Sequence, residues 1–252
     1  MYLQMAQIIA DSKLKEPRNN YGKAIDIATT TDQSIFRCLL QQGFTVAFIR
    51  VYLSNGNGNP DSNCIASIYY AANERLGVEI YVEPQPLNSA KTGSGQFMEV
   101  YTFLINNNIA MRAIWIKVTT PINWPKNQVA NVNFINEFII SAWRYGIAVG
   151  IYTSWYDWKQ ITAGQLATEQ GKIRLWYWNS LGLGPNAATS PTFDDFRIFD
   201  GFKMPTVKQY AQNEYICGIY ASLNVYVNEI AMKASLPLNM ANVIVVGNLP
   251  YR

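Results

Sequence analysis

From Lys23 onward the chain repeats one pattern, a short run of β-formers followed by a stretch with apolar residues at i, i+3 and i+4. The β-type runs are KAIDIAT (23–29), TVAFIRVYL (45–53), VEIYVEP (78–84), AIWIKVTT (113–120) and AVGIYTS (148–154). Between them lie QSIFRCLLQQG, NCIASIYYAANERLG, GQFMEVYTFLINNN and VNFINEFIISAWRYG, the first two closed by Gly43 and Gly77. Parallel strands need a long crossover, and a helix is its usual form, so this alternation predicts a parallel sheet. After Ser154 the helical pattern weakens and LWYWNS (175–180), TVKQYA (206–211) and ICGIYASLNVYV (216–227) follow. Five strand-helix units and three further strands predict an α/β fold, an irregular TIM-like (β/α) barrel of eight mainly parallel strands with about five helices.

A chain of 252 residues with 49% hydrophobic content suits one such domain. The pattern assigns it to residues 22–228, leaving an N-terminal extension, 1–21, and a C-terminal extension, 229–252. The latter holds Val243, Ile244, Val245 and Val246, a strong β-former with no partner inside an eight-stranded plan. It either docks on its own barrel or adds a strand to a second copy, making the two extensions candidates for self-association. The Gly/Pro/Asn-rich stretches 54–63 and 181–192 read as loops, the first at a strand C-terminus, where barrels of this kind place their sites.

The chain has no histidine, which removes His-based zinc sites and imidazole-dependent nucleophiles; neither metal nor cofactor is expected. Chemistry must rest on carboxylates, Tyr, Lys or Cys. Net charge of +3 without a Lys/Arg cluster argues against nucleic acid, and no apolar run approaches membrane-spanning length. The N-terminal stretch lacks the basic and apolar regions of a signal peptide as written, which a processed start also explains.

Eight runs taken in order, AIDI (24–27), FRCLLQQGF (36–44), AFIRVY (47–52), VEIYVEPQP (78–86), IWIKVTTPINW (114–124), VGIYTSWYDW (149–158), LWYWN (175–179) and PTVKQYAQNEYICG (205–218), resemble the lysozymes of nematodes and amoebae related to glycoside hydrolase family 25. The resemblance covers about residues 22–228. It implies a glycan cleft at the strand C-termini and a bacterial cell-wall glycan, peptidoglycan, as partner. Active members of that family carry an Asp on the first strand, an Asp-x-Glu pair on the fourth and an Asp on the last. Here Asp26 matches the first, Lys117 and Thr119 stand at the pair, and Ser222 stands at the last.

Glycoside hydrolysis normally needs two carboxyls, one to protonate the leaving oxygen and one to stabilise or attack the sugar cation. A threonine hydroxyl cannot be tuned into an acid by the roughly 3–5 units that burial supplies. The substitutions therefore predict glycan binding with little or no hydrolysis. Lys117 and Thr119 share a strand face, which makes a Lys117–Asp26 pair one expectation; Asp26 as a strand-end acceptor beside a solvent-seeking Lys117 is the other. Glu83, on the face of Glu79 and Tyr81, is the one candidate that with Asp26 could restore a two-carboxylate site; Asp157, Asp194 and Asp195 are weaker candidates. Trp155 and Trp158, placed in a loop after the fifth strand, and Tyr81 are candidate sugar contacts.

The related secreted lysozymes look similar at Cys38 and Cys217, on the first crossover helix and at the opening of the last strand. Because the last strand of a closed barrel neighbours the first, a Cys38–Cys217 disulfide is one outcome, implying secretion to the exterior or a lysosome-like vesicle; buried thiols are the other. Three functions remain in view: a secreted lysozyme-like glycan binder of innate defence or digestion, an active muramidase using Asp26 and Glu83, and a self-assembling structural protein.

Overall fold

The computed structural model describes residues 21–166, 169–227 and 243–249. Its strands are β1 (Tyr21–Ile27), β2 (Phe44–Leu53), β3 (Asn59–Pro60), β4 (Gly77–Val82), β5 (Ile109–Met111), β6 (Ala113–Lys117), β7 (Ala148–Thr153), β8 (Arg174–Trp178), β9 (Val207–Ile216), β10 (Ile219–Val227) and β11 (Ile244–Val246). The helices are α1 (Gln33–Gln41), α2 (Cys64–Asn73), α3 (Gly93–Asn106), α4 (Gln128–Arg144) and α5 (Trp155–Thr162).

Eight strands close in the order β1-β2-β4-β6-β7-β8-β9-β10, with β10 returning to β1. Every neighbouring pair from β1 to β9 is parallel; β10 runs antiparallel to both β9 and β1. The expected irregular eight-stranded barrel with five helices is the fold observed. Its second half departs from strand-helix repetition because β9 and β10 form a hairpin, with Cys217 and Gly218 at positive φ between them. Cys217 therefore sits in a turn and does not open the last strand.

Period-two alternation splits the core in two. Outward residues such as Ile25, Ile49, Ile80, Ile116 and Ile151 pack under the helices. Inward residues, among them Phe48, Tyr81, Trp115, Tyr152 and Trp176, fill the barrel, so the interior is packed and opens only at its ends. Trp176 centres this column, 4.3 Å from both the Phe48 and Tyr152 rings and edge-on to Trp115. Gly150 makes the filling possible: a Cβ there would lie 2.2 Å from the Trp115 ring.

Three of the five helices, α3, α4 and α5, begin where a side chain satisfies a free N–H group. Thr92 Oγ1, Asn127 Oδ1 and Ser154 Oγ accept from Gly95, Ala130 and Asp157 respectively, at 3.0–3.1 Å. The last of these caps opens α5, so Trp155 and Trp158 lie on a helix instead of in a loop. Trp158 points into the outer core, fully buried and edge-on to Phe202 at 5.4 Å.

The C-terminal valine run docks on its own barrel. β11 pairs in parallel with β5, Gly247 N donates to Val78 O at 2.8 Å, and Leu249 is buried inside the barrel cluster. This stretch closes the end of the barrel opposite the strand C-termini, so the strand capacity once open to a second copy is used within the chain. Residues 1–20, 229–242 and 250–252 of the two extensions, and residue 228 before the second, lie outside the described residues.

Candidate active site

At the C-terminal end of the parallel strands the barrel opens into a cavity of about 610 Å³. Its wall brings together Asp26, Tyr81, Glu83, Lys117, Thr119 and Ser222, six of the positions singled out in the sequence. Asp26 and Ser222 are direct cross-strand partners on β1 and β10. Asp157 from α5 also reaches the cavity.

Asp26 is held from one side only. Gln209 Nε2 donates to its Oδ2 at 3.0 Å, whereas Oδ1, sealed from solvent, has no hydrogen-bond partner among the described residues. Loss of solvation pushes its pKa up to about 6, against the opposing pull of the Lys117 charge and the nearby Tyr81 hydroxyl. Gln209 is itself fixed, its Oε1 accepting from the Tyr152 hydroxyl and Gln212 Nε2, both at 2.7 Å.

Glu83 is in the opposite electrostatic situation. Lys117 Nζ lies 2.6 Å from its Oε1 and Arg50 Nη1 lies 3.1 Å from its Oε2. Burial works against its charge, yet the two cations outweigh that and hold the carboxyl below the usual range. Arg50 also binds Asp61 Oδ2 through Nε and Nη2, both at 3.2 Å, and Ala28 O at 2.7 Å. The ion pair expected between Lys117 and Asp26 is replaced by Lys117–Glu83, because β6 neighbours β4 and not β1.

Thr119 lines the cavity without a carboxyl to offer, and its backbone carbonyl accepts from Trp124 Nε1 at 3.1 Å. Asp157 is buried, accepts from Trp178 Nε1 at 2.9 Å, and has its pKa raised by burial, partly offset by that indole and by Ser154. Asp194 and Asp195 are absent from the wall; Asp195 instead binds Lys208 Nζ at 2.6 Å and secures the loop after β8.

The sugar-contact candidates are redistributed. Trp158 is buried and offers no face to a ligand, and Trp155, 60% exposed at the start of α5, is not part of the cavity wall. Tyr81 reaches the wall but is 2% exposed, and its ring packs edge-on to Trp176. The aromatic groups the cavity does present are Trp178 and Tyr220; Tyr152 reaches the wall but is buried like Tyr81. Trp178 and Gln209 were legible as positions two residues beyond the inward Trp176 and Val207; Arg50 follows Phe48 in the same way. Cys38 and Cys217 are bonded, with Cα atoms 5.9 Å apart, tying α1 to the β9–β10 turn. Cys64 is a buried free thiol.

A family model described as Lysozyme-like protein 1 matches residues 17–210. The chain belongs to this lysozyme-like family. Lysozyme-like protein 2 of Caenorhabditis elegans is 45% identical to it over 231 residues, 90% of this chain and 81% of that protein. A relation to glycoside hydrolase family 25 follows from a probable family 25 lysozyme of Dictyostelium discoideum, 30% identical over 80% of this chain and 89% of its own. Among solved structures, a bacterial lysozyme from Streptomyces coelicolor shares the fold of the lysozyme-like chain with a TM-score of 0.64 at 18% identity, covering 88% of this chain and 97% of that one. A family 25 glycosyl hydrolase from Bacillus anthracis does so with a TM-score of 0.56 at 18% identity, covering 82% and 90%. The lysozyme-like mouth thus keeps Asp26 in a cavity whose other wall is built around an ion-paired Glu83.

Proposed function

We propose that this lysozyme-like protein is a secreted binder of bacterial cell-wall glycan in defence or digestion, with hydrolysis largely lost. The observation that carries the reading is the Lys117–Glu83–Arg50 cluster. A carboxylate shared between two cations is stabilised in its charged form, which makes it a poor proton donor and a weak nucleophile. Binding capacity is supported by the open cavity with its indole, phenol and amide walls, a lining suited to the apolar faces and hydroxyls of sugars. A structural neighbour with a TM-score of 0.54, a modular endolysin, was solved with a peptidoglycan analogue. Secretion is supported by the Cys38–Cys217 bond, since such bonds persist in oxidising compartments.

The test is a pull-down on insoluble peptidoglycan run beside a cell-wall clearing assay on the same protein. Retention on the wall, lost in Trp178→Ala, with clearing indistinguishable from a blank, is the expected result. Failure to be retained would sink the proposal.

A second reading, an active muramidase, is favoured by Asp26. A carboxyl with a pKa near 6 and one unpartnered oxygen at a cavity wall has the properties of a general acid. Clearing activity at about pH 5 that disappears in Asp26→Asn would replace the first reading with this one.

A further inference from the structure

Beside the cavity mouth, two stretches of chain form one exposed surface whose large apolar side chains are not part of the cavity wall. The first runs from Thr120 through a 3-10 turn, Pro121–Asn123, into the start of α4; the second is α5. They touch through the contact of the turn with α5 and through Gln128 Nε2, which donates to Gln160 O at 3.0 Å. Thr120 and Asp157 lie on the cavity wall, so this surface is continuous with the mouth.

Four large apolar side chains stand out from it: Ile122 (81% exposed), Val129 (68%), Trp155 (60%) and Tyr156 (58%). Isolated exposed apolar residues are ordinary, but four on two touching elements form a patch. Across residues 120–131 and 154–165 the exposed charges are Lys126 and Lys159; the one carboxylate, Asp157, is buried and bonded to Trp178. Aliphatic tips, an indole and a phenol interleaved with ammonium groups and free of exposed carboxylate match the apolar-to-anionic boundary of a phospholipid surface. A glycan alone does not call for the two branched aliphatic tips, which have no ring face to stack.

We infer that this face is a peripheral docking surface for an anionic lipid bilayer, independent of whether the cavity binds or cleaves glycan. The bilayer is contacted by Ile122, Val129, Trp155 and Tyr156 at acyl-chain and headgroup depth, with Lys126 and Lys159 among the lipid phosphates. The two lysines together favour an anionic over a neutral bilayer by roughly thirtyfold at low salt, about fivefold each. That preference declines at high salt, because headgroup attraction is screened.

The full chain is sedimented with vesicles of phosphatidylglycerol and phosphatidylcholine, or of phosphatidylcholine alone, while its tryptophan emission is recorded. Binding to the anionic vesicles with a blue shift, reduced at least tenfold by Trp155→Ser with Ile122→Ser, and reduced to the neutral-vesicle level by Lys126→Gln with Lys159→Gln, is the expected result. All four positions are exposed, so unchanged thermal melting accompanies the loss. Equal binding to both vesicle types, or none to either, overturns the inference. So does a concentration-dependent dimer in sedimentation velocity that the Trp155→Ser, Ile122→Ser pair dissolves while vesicle binding is absent, since the face then joins two copies. Retention on peptidoglycan unchanged in these variants separates this result from failure of the glycan reading.

Discussion

Lys117 Nζ donates to Glu83 Oε1 at 2.6 Å, tying β6 to β4 across the barrel mouth. Arg50, itself paired with Asp61, holds the other oxygen, so the two ends of the interaction are unequal. Lys117→Gln leaves Glu83 with Arg50 and is expected to cost about 1 kcal/mol, near the upper range for exposed pairs. Glu83→Gln leaves Arg50 with Asp61 but strips Lys117 of its carboxylate in a partly buried wall and is expected to cost about 2 kcal/mol, between the exposed and buried limits. Urea denaturation of the two variants checks the order; equal losses would contradict the shared-carboxylate arrangement.

Stability is expected to rise as pH falls from 8 to about 5. Burial lifts Asp26 to about 6 and Glu79 to about 7, so the folded chain holds protons that the unfolded chain has released. Wherever the folded state binds more protons, lowering pH stabilises it. This window runs from the folded values down to the ordinary carboxylate range near 4. Below that, the depressed Glu83 and Asp195 reverse the trend, because their ion pairs are lost on protonation. Urea midpoints between pH 4 and 8 measure the profile, and Glu79→Gln should flatten its upper half.

Gly247 sits at φ +78°, and a Cβ there would fall 2.4 Å from the Ala113 backbone nitrogen. Gly247→Ala is therefore expected to destabilise by about 2 kcal/mol or more, with strain and steric displacement adding. Ending the chain at Val227 removes the same contacts and should lower the thermal midpoint by several degrees. A midpoint unaffected by both changes would mean that β11 contributes nothing to the barrel.

The Cys38–Cys217 bond spans 179 residues of sequence. By loop-closure entropy its removal in a double serine variant costs about 3–5 kcal/mol. Thiol titration should find one thiol after denaturation without reductant and three with it. The one is Cys64, whose thiol burial pushes up to about 12, so it should resist alkylation in the native protein.

The barrel strands were legible because period-two alternation and the intervening helical spacing are both strong, local signals. The short helix α5 was not: it has eight residues, and its start depends on a single serine cap. The carboxylates show a second boundary. Alternation told that Asp26, Glu83 and Lys117 face the same interior, but only sheet order told which of them touch. In that order β4 lies beside β6, while β1 is separated from β6 by β2 and β4. Trp158 illustrates the same boundary on a helix, where an aromatic after a strand is equally able to face solvent or core.

Leu249 N donates to Glu79 Oε1 at 2.8 Å, a contact made across 170 residues of sequence, and Arg174 Nη1 binds Leu249 O at 2.7 Å. Residues 243–249 thus complete the base of a barrel whose first strand also needs β10 for closure. On the ribosome neither seam can form until residues 219–227 and 243–249 have been made. Until both segments are out of the exit tunnel the barrel is an open sheet, with its aromatic interior unsealed.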